Sequence, residues 1–124
     1  MTEIFKASDL SKALDLPALG SAFLNAESIP WQESDEPGFL MKPLLQDEIS
    51  HMRTWLMKVE PGAFSELHAH EEYEQVYVLS GSFYDQEHEY GPGDFIVRAP
   101  GAMHTAGSTD GALVLLFYSV IKPR

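Results

Sequence analysis

The sequence contains no cysteine. Disulfides, thiolate nucleophiles, zinc knuckles and iron–sulfur ligation are therefore excluded together. Positive charge is also scarce: eight Lys and Arg stand against 19 Asp and Glu, a formal net charge of -11. A surface that acidic repels phosphate backbones and anionic lipid, so nucleic acid and membranes are not expected partners. Long apolar runs are missing, and the longest, 112–118, is far too short to span a bilayer. The first residues, Met1-Thr2-Glu3-Ile4-Phe5-Lys6, lack the basic and apolar stretches of a secretory leader, and a cytoplasmic location is expected. What is present is ordinary for a folded domain. Of 124 residues, 44% are hydrophobic and 22% charged, which suits one core and excludes wholesale disorder. A metal, a small molecule or a second copy of the chain remains as partner.

The chain reads as a lead-in, residues 1–36, followed by one β body, residues 37–124. In the lead-in, Ser8 is placed to cap a short helix with Leu10, Ala13 and Leu14 on one side, stopped by Pro17. The stretch 21–32 is ambiguous, and Glu33-Ser34-Asp35-Glu36 reads as a polar loop. From residue 37 onward Pro-Gly recurs at 37–38, 61–62, 92–93 and 100–101, each pair suited to the centre of a type II turn. Ser80-Gly81 and Asp110-Gly111 add hairpin signals. Between them lie segments rich in aromatic and β-branched residues, at 39–46, 49–60, 64–70, 74–79, 83–85, 94–98, 103–106 and 112–121. Short strands at this spacing, with no room for helical crossovers, predict an all-β antiparallel sandwich or barrel.

Chemistry concentrates on four residues. His68 and His70 are two apart on a predicted strand and so project from one face. If 68–70 and 74–79 are adjacent antiparallel strands, Glu74 returns beside the two imidazoles, and His104 follows the turn at 100–101. Three imidazole nitrogens and one carboxylate suit a divalent first-row metal and leave two positions of an octahedral ion for water, substrate or dioxygen. A lone His-x-His would be read as two surface histidines, but the wider spacing is more demanding. The run is Gly62, five residues, His68-Ala69-His70, three residues, Glu74, six residues, Gly81.

That run resembles the first signature motif of the cupin superfamily. The second is matched by Gly93, Pro100-Gly101 and His104, with Pro100 one position late and Ser108 where the motif has Asn. The resemblance extends over 30–118 to small single-domain cupins that include dihydroxyacetophenone and acetylacetone dioxygenases. It extends also to the zinc-binding cupin half of certain anti-sigma factors, through Val78-Leu79-Ser80-Gly81-Ser82-Phe83-Tyr84-Asp85. It implies a jelly-roll cupin barrel holding one divalent ion per chain on His68, His70, Glu74 and His104. Iron(II) is the first expectation, with zinc, manganese and nickel as alternatives. The acetylacetone branch uses three histidines alone, so Glu74 points away from it. The anti-sigma proteins carry a helical domain ahead of the cupin, for which a lead-in of 36 residues has no room.

The remaining polar residues have plainer readings. His88 sits in a polar hairpin tip and His51 at a strand start with no partner in view, so neither is taken as a ligand. Alternation on 49–59 puts His51, Arg53, Trp55, Met57 and Val59 on one largely apolar face. An inward Arg53 needs either a structural carboxylate or an anionic substrate. Arg53, Trp55 and Tyr84 are the candidate substrate contacts. The expected activity is that of a non-haem iron(II) dioxygenase acting on a small ketone, diketone or phenol. The alternatives are a metal- or ligand-sensing cupin module and a Lewis-acid isomerase, lyase or decarboxylase. Because 112–118 is apolar on both faces, something must cover its outer side, either the lead-in with Leu10, Leu14 and Phe23 or a second chain, and a homodimer is expected.

Overall fold

A computed structural model describes residues 5–120. Ten strands form two antiparallel sheets. They are β1 (Gln32–Glu33), β2 (Phe39–Gln46), β3 (Arg53–Val59), β4 (Phe64–His68), β5 (Tyr73–Gly81), β6 (Phe83–Tyr84), β7 (Glu89–Tyr90), β8 (Phe95–Arg98), β9 (His104–Gly107) and β10 (Ala112–Ser119). The larger sheet runs β1-β2-β3-β10-β5-β8 and the smaller β4-β9-β6-β7. Each predicted strand of the body is present, and the end of the last, Ile121, lies outside the described residues.

The Pro-Gly punctuation works as turn chemistry requires. Gly38, Gly62, Gly93 and Gly101 all have φ between 83° and 91°. Each turn is closed by a backbone bond across it, Phe39 to Glu36, Ala63 to Glu60, Asp94 to Gly91 and Ala102 to Ala99.

Four local expectations are corrected. No helix follows Ser8: the Asp9 carboxylate accepts from the Ser11 N–H at 3.0 Å and its hydroxyl at 2.6 Å, and Leu14 bridges to Leu45 in parallel. A segment this short gains little as a helix, and a side chain that bonds nearby backbone offers an alternative. The one helical turn among the described residues is Ala26–Ser28, capped by the Asn25 side chain. Glu33 is paired strand rather than loop. Third, Gly81 and Gly111 do have positive φ, 78° and 98°, but neither closes a hairpin. β5 and β6 lie in different sheets, as do β9 and β10, so both turns carry the chain across the sandwich. Fourth, β3 begins only at Arg53. The preceding turn, with Ser50 bonded to the Asp47 carboxylate, holds His51 at φ 63°.

The inner face of the larger sheet sorts by rows. Gln46, Arg53, Tyr118, Glu74 and Arg98 stand in register across β2, β3, β10, β5 and β8 at one end. Behind them come Trp55, Leu116, Val76 and Ile96, then Met41, Met57, Val114 and Val78. The core is thus apolar at depth and polar at one mouth. Phe5 of the lead-in is buried in the same core, 4.9 Å from Phe39 between ring centres.

Candidate metal centre

The three histidines come from the smaller sheet and its continuation. β4 and β9 pair with His68 directly opposite His104, and both side chains turn inward, their ring centres 4.2 Å apart. His70 lies just past β4, where its carbonyl accepts from the Gly101 N–H at 2.8 Å, tying it to the turn that precedes His104. One ligating atom from each of the three fits within 4.8 Å of the others, and all three residues are buried. They can hold a metal ion.

Glu74 reaches this cluster by a route different from the one expected. β4 and β5 are not neighbours; residues 69–72 carry the chain from the smaller sheet to the larger. Glu74 therefore faces the histidines across the sandwich, with Oε2 3.3 Å from His70 Nε2 and Oε1 3.7 Å from His104 Nε2. Its own sheet holds it on both oxygens: Arg98 Nε donates to Oε1 at 3.2 Å and the Tyr118 hydroxyl to Oε2 at 2.5 Å.

Protonation suits a cation. His68 Nδ1 bonds the Glu66 carbonyl at 2.8 Å and His104 Nδ1 the Thr105 carbonyl at 2.9 Å. A carbonyl only accepts, so in both rings Nδ1 carries the proton and Nε2 the lone pair. Those two Nε2 atoms are buried and have no hydrogen-bond partner among the described residues. Burial pushes the His68 imidazole down and His104 to about 4, which keeps both neutral near pH 7. For Glu74 burial alone would raise the carboxyl, but His70 and His104 where they carry charge, the Tyr118 hydroxyl and Arg98 outweigh it and hold it below the usual range. Neutral imidazole lone pairs beside an ionised carboxylate, sealed from water, are the donor set that a divalent ion satisfies.

Behind Glu74, Arg98 Nη1 also donates to Asp85 at 3.0 Å. Asp85 further accepts the Tyr90 hydroxyl at 2.8 Å and the N–H groups of Glu87 and His88. Arg98, Tyr118 and Asp85 escaped the sequence reading. The first two were within reach of it, since alternation puts Arg98 with Ile96 and Tyr118 with Leu116 on inward faces.

The other candidates divide. Arg53 is buried and its Nη2 meets Glu72 at 2.9 Å, which is the structural carboxylate considered above. The guanidinium also lies 3.9 Å over the Tyr118 ring and 4.8 Å over Trp55. Trp55 is buried and donates to Gln46 at 3.0 Å. Both residues line a cavity of about 450 Å³ that opens onto His70, with Lys6, His51 and Glu71 on its walls. Tyr84 is not there. On β6 it follows the inward Phe83, so it faces outward, stacked on Phe64 over Gly107 of β9. Ser108, in place of the motif Asn, is fully buried, accepts from the Gly111 N–H and donates to the Ser82 carbonyl, joining both crossings between sheets.

No match to a curated protein was found. Several solved structures share the fold. KdgF from a Halomonas species is 26% identical, with a TM-score of 0.68 over 82% of this chain and 96% of that one. The polyketide cyclase RemF from Streptomyces resistomycificus is 21% identical, with a TM-score of 0.71 over 85% and 83%. The anti-sigma ChrR, solved with Rhodobacter sphaeroides SigE, is 22% identical, with a TM-score of 0.63 over 77% of this chain and 52% of that one. Proteins named for such different roles leave the reaction open. Residues 20–121, most of the chain, match the family described as the ChrR cupin-like domain, and with the two-sheet barrel and its histidine cluster the chain belongs to that family of cupins.

Proposed function

We propose that this protein is a mononuclear metal enzyme, an iron(II) dioxygenase of a small ketone, diketone or phenol, and that its working form is a pair of copies. The observation that carries the metal is the pair of buried Nε2 lone pairs on His68 and His104 facing His70 and the Glu74 carboxylate. His68, His70 and His104 would hold the ion with Glu74 as the fourth ligand. Such an ion supplies Lewis acidity and, as iron(II), redox chemistry with dioxygen. The chain supplies the rest. The cavity beside His70 admits a molecule of a few carbons, Trp55 gives it an apolar wall, and Arg53, paired with Glu72, puts positive charge on its lining. Phe5 and Phe39 seal the apolar side against water. In the overall reaction both atoms of dioxygen enter the product, and the substrate is the reductant.

Two readings compete. Membership of the ChrR cupin-like family favours a sensing module that signals through a partner. The other is Lewis-acid chemistry without oxygen, which the same donor set would support with a redox-silent ion. Protein stripped of metal and reloaded anaerobically separates the three. The dioxygenase consumes oxygen with a diketone or hydroxyaryl ketone when loaded with iron(II) and is silent with zinc. Turnover with zinc under anaerobic conditions would establish the Lewis-acid reading. A ligand-dependent thermal shift with no turnover on either metal would establish the sensing module.

A further inference from the structure

His51 is the one non-glycine among the described residues with a positive φ, 63°. A bulky L side chain is strained in that left-handed conformation, and the turn around it supplies the restraint. The Asp47 carboxylate accepts from the Ser50 hydroxyl and, at 2.9 Å, from the Ser50 N–H. Ser50 Oγ accepts from the Met52 N–H at 3.2 Å, and the Asp47 N–H donates to the Met52 carbonyl at 2.9 Å. Glycine would sit at position 51 without that penalty. What the strain secures is an imidazole on the wall of the cavity of about 450 Å³ that His70 also lines. Strain held in this way gathers at functional sites.

From this placement we infer that His51 is the base that takes a proton from the substrate in the cavity. The inference rests on the metal-enzyme reading proposed above and narrows its substrate to a molecule that reacts as its anion. In the step, a C–H bond flanked by carbonyls breaks. Its electron pair stays on the substrate as the enolate, and the proton passes to the lone pair of the neutral imidazole. His51 is exposed, so the proton goes on to water. Lys6 and Arg53 add positive charge to the same walls, which favours the anion formed. Asp47 answers the imidazolium: the Ser50 hydroxyl and N–H, then the Ile49 N–H and a charged His51, keep its carboxyl below the ordinary 3.8.

The other bases in or beside the cavity are engaged. Glu72 gives both carboxylate oxygens to Arg53, at 2.9 and 3.3 Å. Glu74 has Arg98 on one oxygen and Tyr118 on the other, and its remaining lone pairs face the histidine cluster. His68, His70 and His104 are the proposed ligands. Glu71 is the remaining rival on the walls.

Stopped-flow mixing of acetylacetone with the zinc-loaded full chain tests this, because the enolate absorbs in the ultraviolet and zinc permits no oxidation. The wild type should give a saturable rise in enolate absorbance. In His51→Gly the rate should fall about 100-fold, with the amplitude at saturation unchanged. Added 2-methylimidazole, too hindered to bind zinc well, should restore much of the rate in that variant and leave the wild type as it was. A second readout needs neither metal nor diketone. Metal-free His51→Gly, and His51→Asn, whose side chain tolerates the left-handed region, should melt no lower than the wild type. Unchanged rates in both variants would overturn the inference and leave the metal-enzyme reading standing. So would a rate lost in Glu71→Gln and kept in His51→Gly, which passes the role to the carboxylate. A marked drop in melting temperature in both variants would make His51 part of the scaffold instead. A wild type without any saturable signal would sink the proposed substrate class itself.

Discussion

Glu74 shows how a buried charge is made useful. A carboxylate 3% exposed costs several kcal/mol unless each oxygen is matched, and here Arg98 and Tyr118 serve one oxygen each. Each oxygen keeps a further lone pair for a cation. Tyr118→Phe removes one donor and leaves the shape intact. We expect a stability loss of about 1–3 kcal/mol and zinc affinity about 10-fold weaker, read by denaturant melts and chelator competition. Unchanged zinc affinity would make Tyr118 a packing residue only. Asp85 makes a pH prediction. Although burial acts to raise it, the His88 and Glu87 N–H groups, the Tyr90 hydroxyl and Arg98 bring its carboxyl down from 3.8 to about 2. Its folded form binds the proton later than the unfolded chain, so its contribution is complete above about pH 4 and is lost as pH falls through 2. Tyr90, desolvated and bonded to Asp85, is pushed up to about 12, so its share is complete below pH 10 and lost as pH rises through 12. Thermal melts of Asp85→Asn should lie below the wild type at pH 6 and converge with it at pH 2. A gap that stays constant over that range would show that the Asp85 charge is idle.

At the scale of elements, the period-two alternation made the strands legible, and spacing around His68, His70 and Glu74 made the candidate ligands legible. The connections were not. Ser80-Gly81 and Asp110-Gly111 carry the residues of a hairpin turn, yet both lead between sheets, because turn chemistry reports a local φ and not the partner of the next strand. The same blindness placed Glu74 on a neighbouring strand when it belongs to the opposite sheet. Asp85 and Phe5 lie beyond sequence patterns altogether, since only the tertiary packing brings them to the site. The crossings also fix which glycines matter. Gly62 and Gly81 have φ of 83° and 78°, but a Cβ on Gly62 meets nothing within 4 Å, whereas on Gly81 it falls 2.0 Å from the Gly111 carbonyl oxygen. Gly62→Ala should cost only the left-handed backbone penalty, about 1–2 kcal/mol. Gly81→Ala must also part β5 from the second crossing, so its loss in urea melts should exceed that of Gly62→Ala by about 2 kcal/mol or more. Equal losses would mean that the crossings yield without resistance.

For the molecule as a whole, the four ligand-type side chains matter because they come from opposite walls. His68, His70 and His104 belong to the smaller sheet and its continuation, Glu74 to the larger, and an ion held by all four would pin the walls together at the polar mouth. Deeper in the sandwich, rows such as Met57, Val114 and Val78 are already closed by apolar packing and share only in the ion's effect on global stability. A ligand that binds only the folded state stabilises it by mass action, and a local staple does so unevenly. Hydrogen exchange on metal-free and zinc-loaded protein should reveal this gradient. Protection should rise across 76–79 and at Val59 and Ala112, which open only with the whole domain and so gain the full global stabilisation. It should rise also at the amides of 68–74 and 98–105 and around Tyr118, where the ion closes local openings as well. Slowing confined to the histidine strands, with Glu74 and Tyr118 unaffected, would show zinc resting on three histidines and the carboxylate outside its reach. The metal would then leave the larger sheet free to move against the smaller.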